Sequence, residues 1–539
     1  MATTRAAAAS QNDERMRAAV PPIAFEPHDL GPQSPEVTND AVDSLTPALM
    51  RVNLDKKRGA DGLRVSFDRS SDEDGPRSNR SGDSKRSSLG QTPVGIKQLK
   101  NSPTGSSSTV VLYSKAGLGH DTGAKHQESV MRLAVLGVVS DGLRELQVEA
   151  RESSFKCPLG DVVRVHDADY VRSLQEKCSQ LPATSDVTPS QGACLDTDTR
   201  LCANSLDAAL GGCGAACEAI DLVATNRAQN VFVACRPPGH HAGPRGAVAC
   251  FSHFWRSPDM CSCGFCLLNT AAVAGAYARY RYGRPRAVPE QSKVLRKVAI
   301  IDFDVHHGNG TEEIVKSLKP HKVQKPLPDS WPAEFREVHK PWLDESDGDE
   351  VFFGSVHLWD SKGAFYPGGG GPQESSETIV NVPLSAIGPK PGDVRARQAL
   401  TASQRAKLCD EAGANLRRDV SAQLLPALQR FDADLVIFSA GFDGYEADLY
   451  HWFRESDYEW LTHAVLDASP RASCISILEG GYSTWDWPPK EAKRAGTRRT
   501  ASPDQDNDEV QKPGLLRACA AHVSALAARM PPSPPPRGF

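Results

Sequence analysis

From Thr109 to Tyr482 short apolar runs alternate with stretches of helical spacing, and five of the runs end in residues foreign to ordinary turns. NVFVAC (230–235) leads into RPPGHHAG, VAII into DFDVHHGNG, VFFGS into VHLWD, DLVIFSA (434–440) into GFDGYEAD, and SCISIL into EGGY. Apolar strands separated by helices require a mainly parallel sheet covered on both faces, a three-layer α/β/α sandwich. Ligands bind such sheets beyond the carboxyl ends of the strands, so the five polar ends are expected to converge on one edge as a site. TVVLYS (109–114) reads as the first strand. Helices are predicted at 132–146, 209–225 and 267–282, from TEEIVKSL, and at QLLPALQRF and WLTHAVLDA.

Length allows one large α/β domain with tails in the 539 residues. The net charge of −5 argues against a basic face for sequence-specific nucleic-acid binding. Hydrophobic content of 39% is low for this length, so part of the chain is expected to lie outside a core. That part is residues 1–105, rich in Ser, Arg and Asp, read as disordered, with a KRSSL segment open to phosphorylation. The 14 cysteines are scattered through helix- and strand-like segments, as in a reduced intracellular protein, and no apolar run reaches the roughly 18 residues that cross a bilayer. The expected compartment is nucleus or cytoplasm. Import into an organelle stays open, because the Ala/Thr/Arg-rich start resembles a transit peptide while Asp13 and Glu14 speak against one. The catalytic domain is placed at 109–487. Residues 488–539 are a charged linker with a weak basic import-like run at 490–499, a short helix at 514–530 with the domain or a partner as its expected docking surface, and a proline-rich end.

In an extended segment side chains alternate, so Asp302, Asp304 and His306 project the same way and Asp304 with His306 can grip one ion. Asp443, after another strand, is the third candidate ligand. Three protein ligands leave positions open for water and substrate, a catalytic arrangement that suits zinc and also admits ferrous iron or cobalt. His240 and His241 follow a stiff Arg-Pro-Pro-Gly turn and are candidate proton carriers, with Asp302 and Asn309 available to set their tautomers. Tyr482, behind two glycines, is a candidate donor to a developing oxyanion. Metal-assisted hydrolysis of a carbonyl compound follows. His307, although half of the HH pair, falls on the other face and is expected to pack.

RPPGHHA, GFCLLN, DFDVHHGNGT, FYPGGGG, SAGFD and LEGGY, in this order, resemble the zinc-dependent histone deacetylases, and the Asn after HHG resembles their class II branch. HDTGAKHQESVMRL and RVHDADYVRSL resemble two early motifs of that family. The resemblance implies the arginase/deacetylase fold, Zn2+ on Asp304, His306 and Asp443, and His241 as principal base and acid with His240 assisting. It pairs Asp302 with His240 and Asn309 with His241, and assigns Tyr482 to the acetyl carbonyl. Phe265 and Tyr366 become the walls of an acetyl-lysine channel, with Gly480 also at the substrate. Asp198 would hold the substrate backbone, Arg132 would be an inner-cavity arginine, and Asp302–His306 with Ser355 would form a structural K+ site. The implied partners are acetylated histones or other acetylated proteins and a corepressor complex. An enzyme for acetylated polyamines and a weakly active scaffold are the alternatives.

Departures from the family pattern accompany these matches. Asn309 carries no charge, so His241 should be less basic than beside an acid. Insertions at 244–263 and 319–350 are expected at the active-site edge, and GYEADLYHWF replaces the usual small continuation after Asp443. Cys250, Cys261, Cys263 and Cys266 are a weaker second metal set.

Overall fold

The structure is a computed structural model and describes residues 109–529, apart from 124–125, 139–140, 183–193, 250–260, 286–291, 325–331, 333, 364 and 485–511. The N-terminal region 1–105, the basic run at 490–499, the proline-rich end and Cys250 lie outside the described residues. Eight strands form one parallel sheet: β1 (Thr109–Tyr113), β2 (Glu149–Glu152), β3 (Asn230–Ala234), β4 (Val298–Asp302), β5 (Val351–Leu358), β6 (Ile379–Leu384), β7 (Leu435–Ala440) and β8 (Ser473–Leu478). Their order across the sheet is β6-β5-β4-β7-β8-β3-β1-β2. The five strands with polar ends are therefore contiguous, and the chain order reverses between β4 and β7, where parallel sheets open a binding crevice.

Strand alternation divides the core in two. Val298 and Ile300 face one side with Val231, Val233, Ile475 and Ile477, beneath α1 (Ser205–Ala224), α2 (Thr270–Tyr282) and α3 (Asn309–Lys316). Ala299 and Ile301 face the other with Phe232, Phe438 and Cys474, beneath α4 (Ala402–Asp419), α5 (Glu455–Ala468) and α6 (Gly514–Ala528). This is the three-layer sandwich expected from the alternating pattern. The Gly/Ala-rich face of α1 permits close approach: a Cβ on Gly214 would lie 1.9 Å from the Phe155 carbonyl oxygen. Among the described residues no helix is long and apolar enough to cross a membrane, and the described cysteines are free thiols.

Two expectations change. The helix predicted over 132–146 is broken, because Gly137 (φ 118°) and Gly142 (φ 39°) leave the helical region. Its pieces are short turns around Met131–Leu133 and Gly142–Leu146. The 319–350 insertion does not leave from the active-site edge: it joins the far end of α3 to the start of β5, at the amino edge of the sheet. There Asp347 accepts from Arg279 Nε at 2.7 Å and Trp342 packs over Gly275. The helix after the linker takes the first of its two expected places, docked on the domain: Leu515, Leu516, Cys519, Val523 and Leu526 of α6 lie in the second core. Within it, buried His522 bridges Thr462 Oγ1 (2.6 Å) and Ser476 Oγ (2.8 Å) among the rings of Phe232, Phe303, Phe438 and Phe442. His522→Ala strands the buried Ser476 hydroxyl, leaves Thr462 Oγ1 only its bond to the Tyr458 carbonyl and opens a cavity, and is expected to lower the unfolding free energy by about 2–4 kcal/mol in chemical denaturation.

Candidate active site

The ends of β4, β7, β8 and β3 bring the candidate ligands and histidines together. Asp304 and His306 follow β4, Asp443 follows β7, and their donor atoms lie within 4.8 Å of one another. His306 Nδ1 is 3.1 Å from Asp304 Oδ1 and 2.9 Å from Asp443 Oδ2. Both carboxylates are held by backbone N–H groups: Gly480 and His306 donate to Asp304 at 2.8 and 2.9 Å, and Val305 to Asp443 at 3.0 Å. Burial and the neighbouring Asp304 push the Asp443 carboxyl up to about 6. Among the described residues neither carboxylate is paired with Lys or Arg.

Two dry carboxylates converging on one imidazole nitrogen, with no Lys or Arg beside them among the described residues, suit a divalent cation: oxygen and nitrogen donors of this kind hold zinc or a related metal. The space around them is kept by glycine. A Cβ on Gly441 would lie 2.0 Å from Asp304 Oδ2, and one on Gly480 would lie 2.4 Å from Asp304 Oδ2 and 2.7 Å from Asp443 Oδ2. Gly480, expected at the substrate, is thus buried against the carboxylates.

The two histidines after β3 stand side by side, with ring centroids 4.0 Å apart, and receive different partners. His240 Nδ1 lies 3.0 Å from Asp302 Oδ2 and its Nε2 lies 3.7 Å from Asp304 Oδ2. Burial acts to lower its pKa, but Asp304 and Asp302 outweigh it and raise the pKa to about 10. His241 Nδ1 lies 2.8 Å from Asn309 Oδ1. Burial, with the fields of His240 and His306, holds it well below the ordinary value. The Asn309 carbonyl accepts from Nδ1–H, which leaves a lone pair on Nε2. His307 turns away: its Nε2 meets Glu312 Oε2 at 2.9 Å and its ring faces His357.

Phe265 and Tyr366 flank these groups. Tyr366 meets His241 at 5.0 Å between centroids, and its hydroxyl donates to Ser262 Oγ at 3.0 Å. Phe265 stands edge-on to Tyr482 at 5.9 Å. Its backbone is left-handed (φ 70°), and its N–H donates to Thr199 Oγ1 at 3.0 Å, so the surrounding loop holds a conformation that a free chain avoids. Tyr482 lies with its ring 5.1 Å from the Arg132 guanidinium, and burial lifts its hydroxyl well above the ordinary pKa, so it stays a proton donor. Buried Arg132 donates to the carbonyls of Gly481 (Nε, 2.7 Å) and Glu479, tying down the Gly-Gly turn. Asp198 is exposed beside this wall, and its carbonyl accepts from His126, whose ring meets Phe265 at 4.9 Å. Ser355 is the register partner of Asp302 and hydrogen-bonds His357.

Glu479 was missed as a functional residue, although its place in EGGY marks it. It is fully buried, accepts from the N–H groups of Gly239 (2.6 Å) and His240 (3.2 Å), and takes the Ser439 hydroxyl at 2.8 Å. Burial pushes its carboxyl up to about 7 against the pull of His240. Together with His240 and Cys266 it forms a second compact donor group. Its oxygens are already engaged, as is His240 Nδ1, so that cluster is spoken for. Glu479→Ala orphans two buried N–H groups of the histidine loop and is expected to lower stability by about 2–4 kcal/mol, read as a lower denaturation midpoint.

The sequence profile of the family described as histone deacetylase domain matches residues 126–492. Type-2 histone deacetylase 2 of Dictyostelium discoideum is 26% identical over 409 residues, which cover 69% of this chain and 20% of that protein. An uncharacterised protein of Synechocystis is 29% identical over 380 residues, covering 69% of this chain and 93% of the relative. The chain thus spans a fifth of the first relative's length and nearly all of the second's. In fold it is similar to the crystal structure of the HDA15 HD domain, with a TM-score of 0.51, 24% identity, and coverage of 79% of this chain and 91% of that one. With the profile covering well over half of its length, the chain belongs to the histone deacetylase domain family.

Proposed function

We propose that the protein is a zinc-dependent, class II-like lysine deacetylase that hydrolyses N6-acetyl-lysine in histones or other proteins and acts in transcriptional repression, in the nucleus or cytoplasm. Family membership supports a deacetylase. The observation that carries the finer reading is the Asp304–His306–Asp443 donor group beside two histidines with opposite partners.

Zinc bound there would polarise the acetyl carbonyl and make a water molecule more acidic. His241, neutral and with Nε2 unprotonated, takes a proton from the attacking water and later returns one to the lysine amine as the C–N bond breaks. His240, held protonated by Asp302, keeps positive charge beside the developing oxyanion. Tyr482 donates its hydroxyl hydrogen to that oxygen. Phe265 and Tyr366 exclude water and accept the apolar four-carbon stem once acetylation has removed its charge. Asp198, at the rim, would hold the substrate backbone, and a K+ ion bound near Asp302–His306 and Ser355 would stiffen the ligand loop. A corepressor complex is the proposed partner.

Zinc-loaded protein is expected to deacetylate acetylated histone peptides, and chelation should stop turnover until zinc is restored. His306→Ala should lose both zinc, measured by elemental analysis, and activity. Full activity in that variant overturns the mechanism. Tyr482→Phe is expected to lower kcat about 100-fold or more with little change in KM. Acetylated polyamines assayed in parallel separate the substrate classes: turnover of these alone overturns the protein-lysine reading. No turnover of either in the zinc-loaded protein would favour a scaffold.

A further inference from the structure

Among the described residues four arginine side chains are buried: Arg132, Arg236, Arg279 and Arg397. Three of them meet a carboxylate. Glu128 lies 3.3 Å from Arg132 and 2.7 Å from Arg236, while Asp347 and Glu350 lie 2.7 and 2.6 Å from Arg279. Arg397, only 1% exposed, is paired with no carboxylate among the described residues. Its Nη2 donates to the carbonyls of His451 (2.8 Å) and Glu446 (3.2 Å), and its guanidinium lies over the Trp452 ring at 3.7 Å. Its Nε and Nη1 meet no acceptor among the described residues. A buried cation without a counter-charge is expensive, and two stranded N–H groups add to the cost.

The surroundings sharpen that need. Burial, with Arg405 nearby on the first turn of α4, lowers the Arg397 pKa to about 10 against the pull of Asp448, Cys409 and Glu446. Arg405 Nε is itself buried without an acceptor, and His451 Nδ1 is buried without a partner. Burial and the field of Arg397 hold the His451 imidazole down at about 3, so it is neutral. The short helix Val394–Gln398, α4 and the loop after β7 thus bring Arg397, Arg405 and His451 close enough to repel one another, with four buried nitrogens unmet. The neighbouring carboxylates are committed elsewhere. Asp448 accepts from the N–H groups of Tyr482 (2.6 Å), Ser483 (3.0 Å) and Leu449 (2.8 Å), and Glu446 accepts from Cys409 Sγ at 3.2 Å.

We propose that Arg397, with Arg405 and His451 beside it, binds a small monovalent anion of the halide class, and that the anion steadies the loop 446–451. One unpaired guanidinium calls for one negative charge, and its seclusion from solvent favours a compact ion; a phosphate would bring a second charge and more oxygens than there are free donors. Arg397 ties both ends of that loop through the Glu446 and His451 carbonyls. Between them, Asp448 holds the backbone of Tyr482, and the Tyr450 ring stands 4.7 Å from the His306 imidazole. An ion that fixes Arg397 therefore acts on the frame of the catalytic centre from outside it, whichever acyl group is cleaved there.

The test melts the full chain in sodium chloride and in sodium gluconate, whose anion is too large for such a site, at equal ionic strength. Chloride is expected to raise the melting temperature of the wild type by about 2 °C or more over gluconate. Arg397→Met, which keeps an unbranched stem over Trp452 and removes the charge, should abolish that difference. Arg405→Gln should reduce it, and carries the comparison alone if Arg397→Met does not fold. Crystals grown in sodium bromide locate the ion, with an anomalous peak expected within hydrogen-bond reach of Arg397 Nε or Nη1. Hydrogen exchange at the Tyr482 and Ser483 amides should slow about threefold or more in chloride. Equal melting of the wild type in the two salts overturns the site. So does a chloride difference of full size in the folded variant, or bromide peaks confined to the protein surface. Unchanged exchange with the ion bound overturns the steadying of the loop.

Discussion

Two carboxylates facing one imidazole nitrogen in a dry crevice is the constraint around which the rest of the molecule is arranged. Asp304 and Asp443 are almost fully buried, and no Lys or Arg among the described residues pairs with them. Burying such charge is expensive unless hydrogen bonds and a cation offset it. The backbone N–H groups of Val305, His306 and Gly480 supply part of that offset. They can do so because β4, β7 and β8 are adjacent and parallel, so all three chains leave the sheet at one edge. The glycines at 441 and 480 follow from the same demand, since a side chain at either would occupy the carboxylate position.

The same crevice sets the two histidines apart. They differ in sequence by one position, yet one is given a carboxylate partner and the other a carboxamide. Asp302 and Asp304 keep His240 charged, whereas Asn309 can orient His241 without charging it, and His240 and His306 push it further toward neutrality. Neighbouring groups with opposed protonation states are how one site both accepts a proton and stabilises negative charge. Glu479 joins the pair to the tyrosine loop: its carboxylate holds the histidine backbone, while Arg132 holds the carbonyls on either side of Gly480.

Much of this was legible from residue order. The short apolar runs marked β3, β4, β5, β7 and β8, and what followed each one marked the candidate site. The edge strand β2, EARE, and the strand β6, IVNVPL, were not, because neither ends in chemistry and a short edge strand has little to bury. The helix over 132–146 failed because apolar spacing says nothing of two glycines in left-handed conformations. The helix α6 read as a tail because residues 485–511 separate it in sequence from the strands it covers; Leu515 N–H nevertheless donates to the Ser483 carbonyl, two peptide units from the tyrosine α-carbon.

Sequence alone marked out the layer architecture and, as candidates, the metal ligands, the histidine pair and the tyrosine, because each depends on local periodicity and on residue types at fixed spacing. Only the tertiary structure decided what those groups experience: that Asp443 meets His306 across the β4/β7 reversal, that His240 faces a carboxylate and His241 a carboxamide, that Glu479 and Asp448 carry backbone loops, and that Tyr450 stands against His306. Those properties arise from burial and from contacts between residues tens to hundreds of positions apart, and a pairwise distance of that kind is set by packing, not by order along the chain.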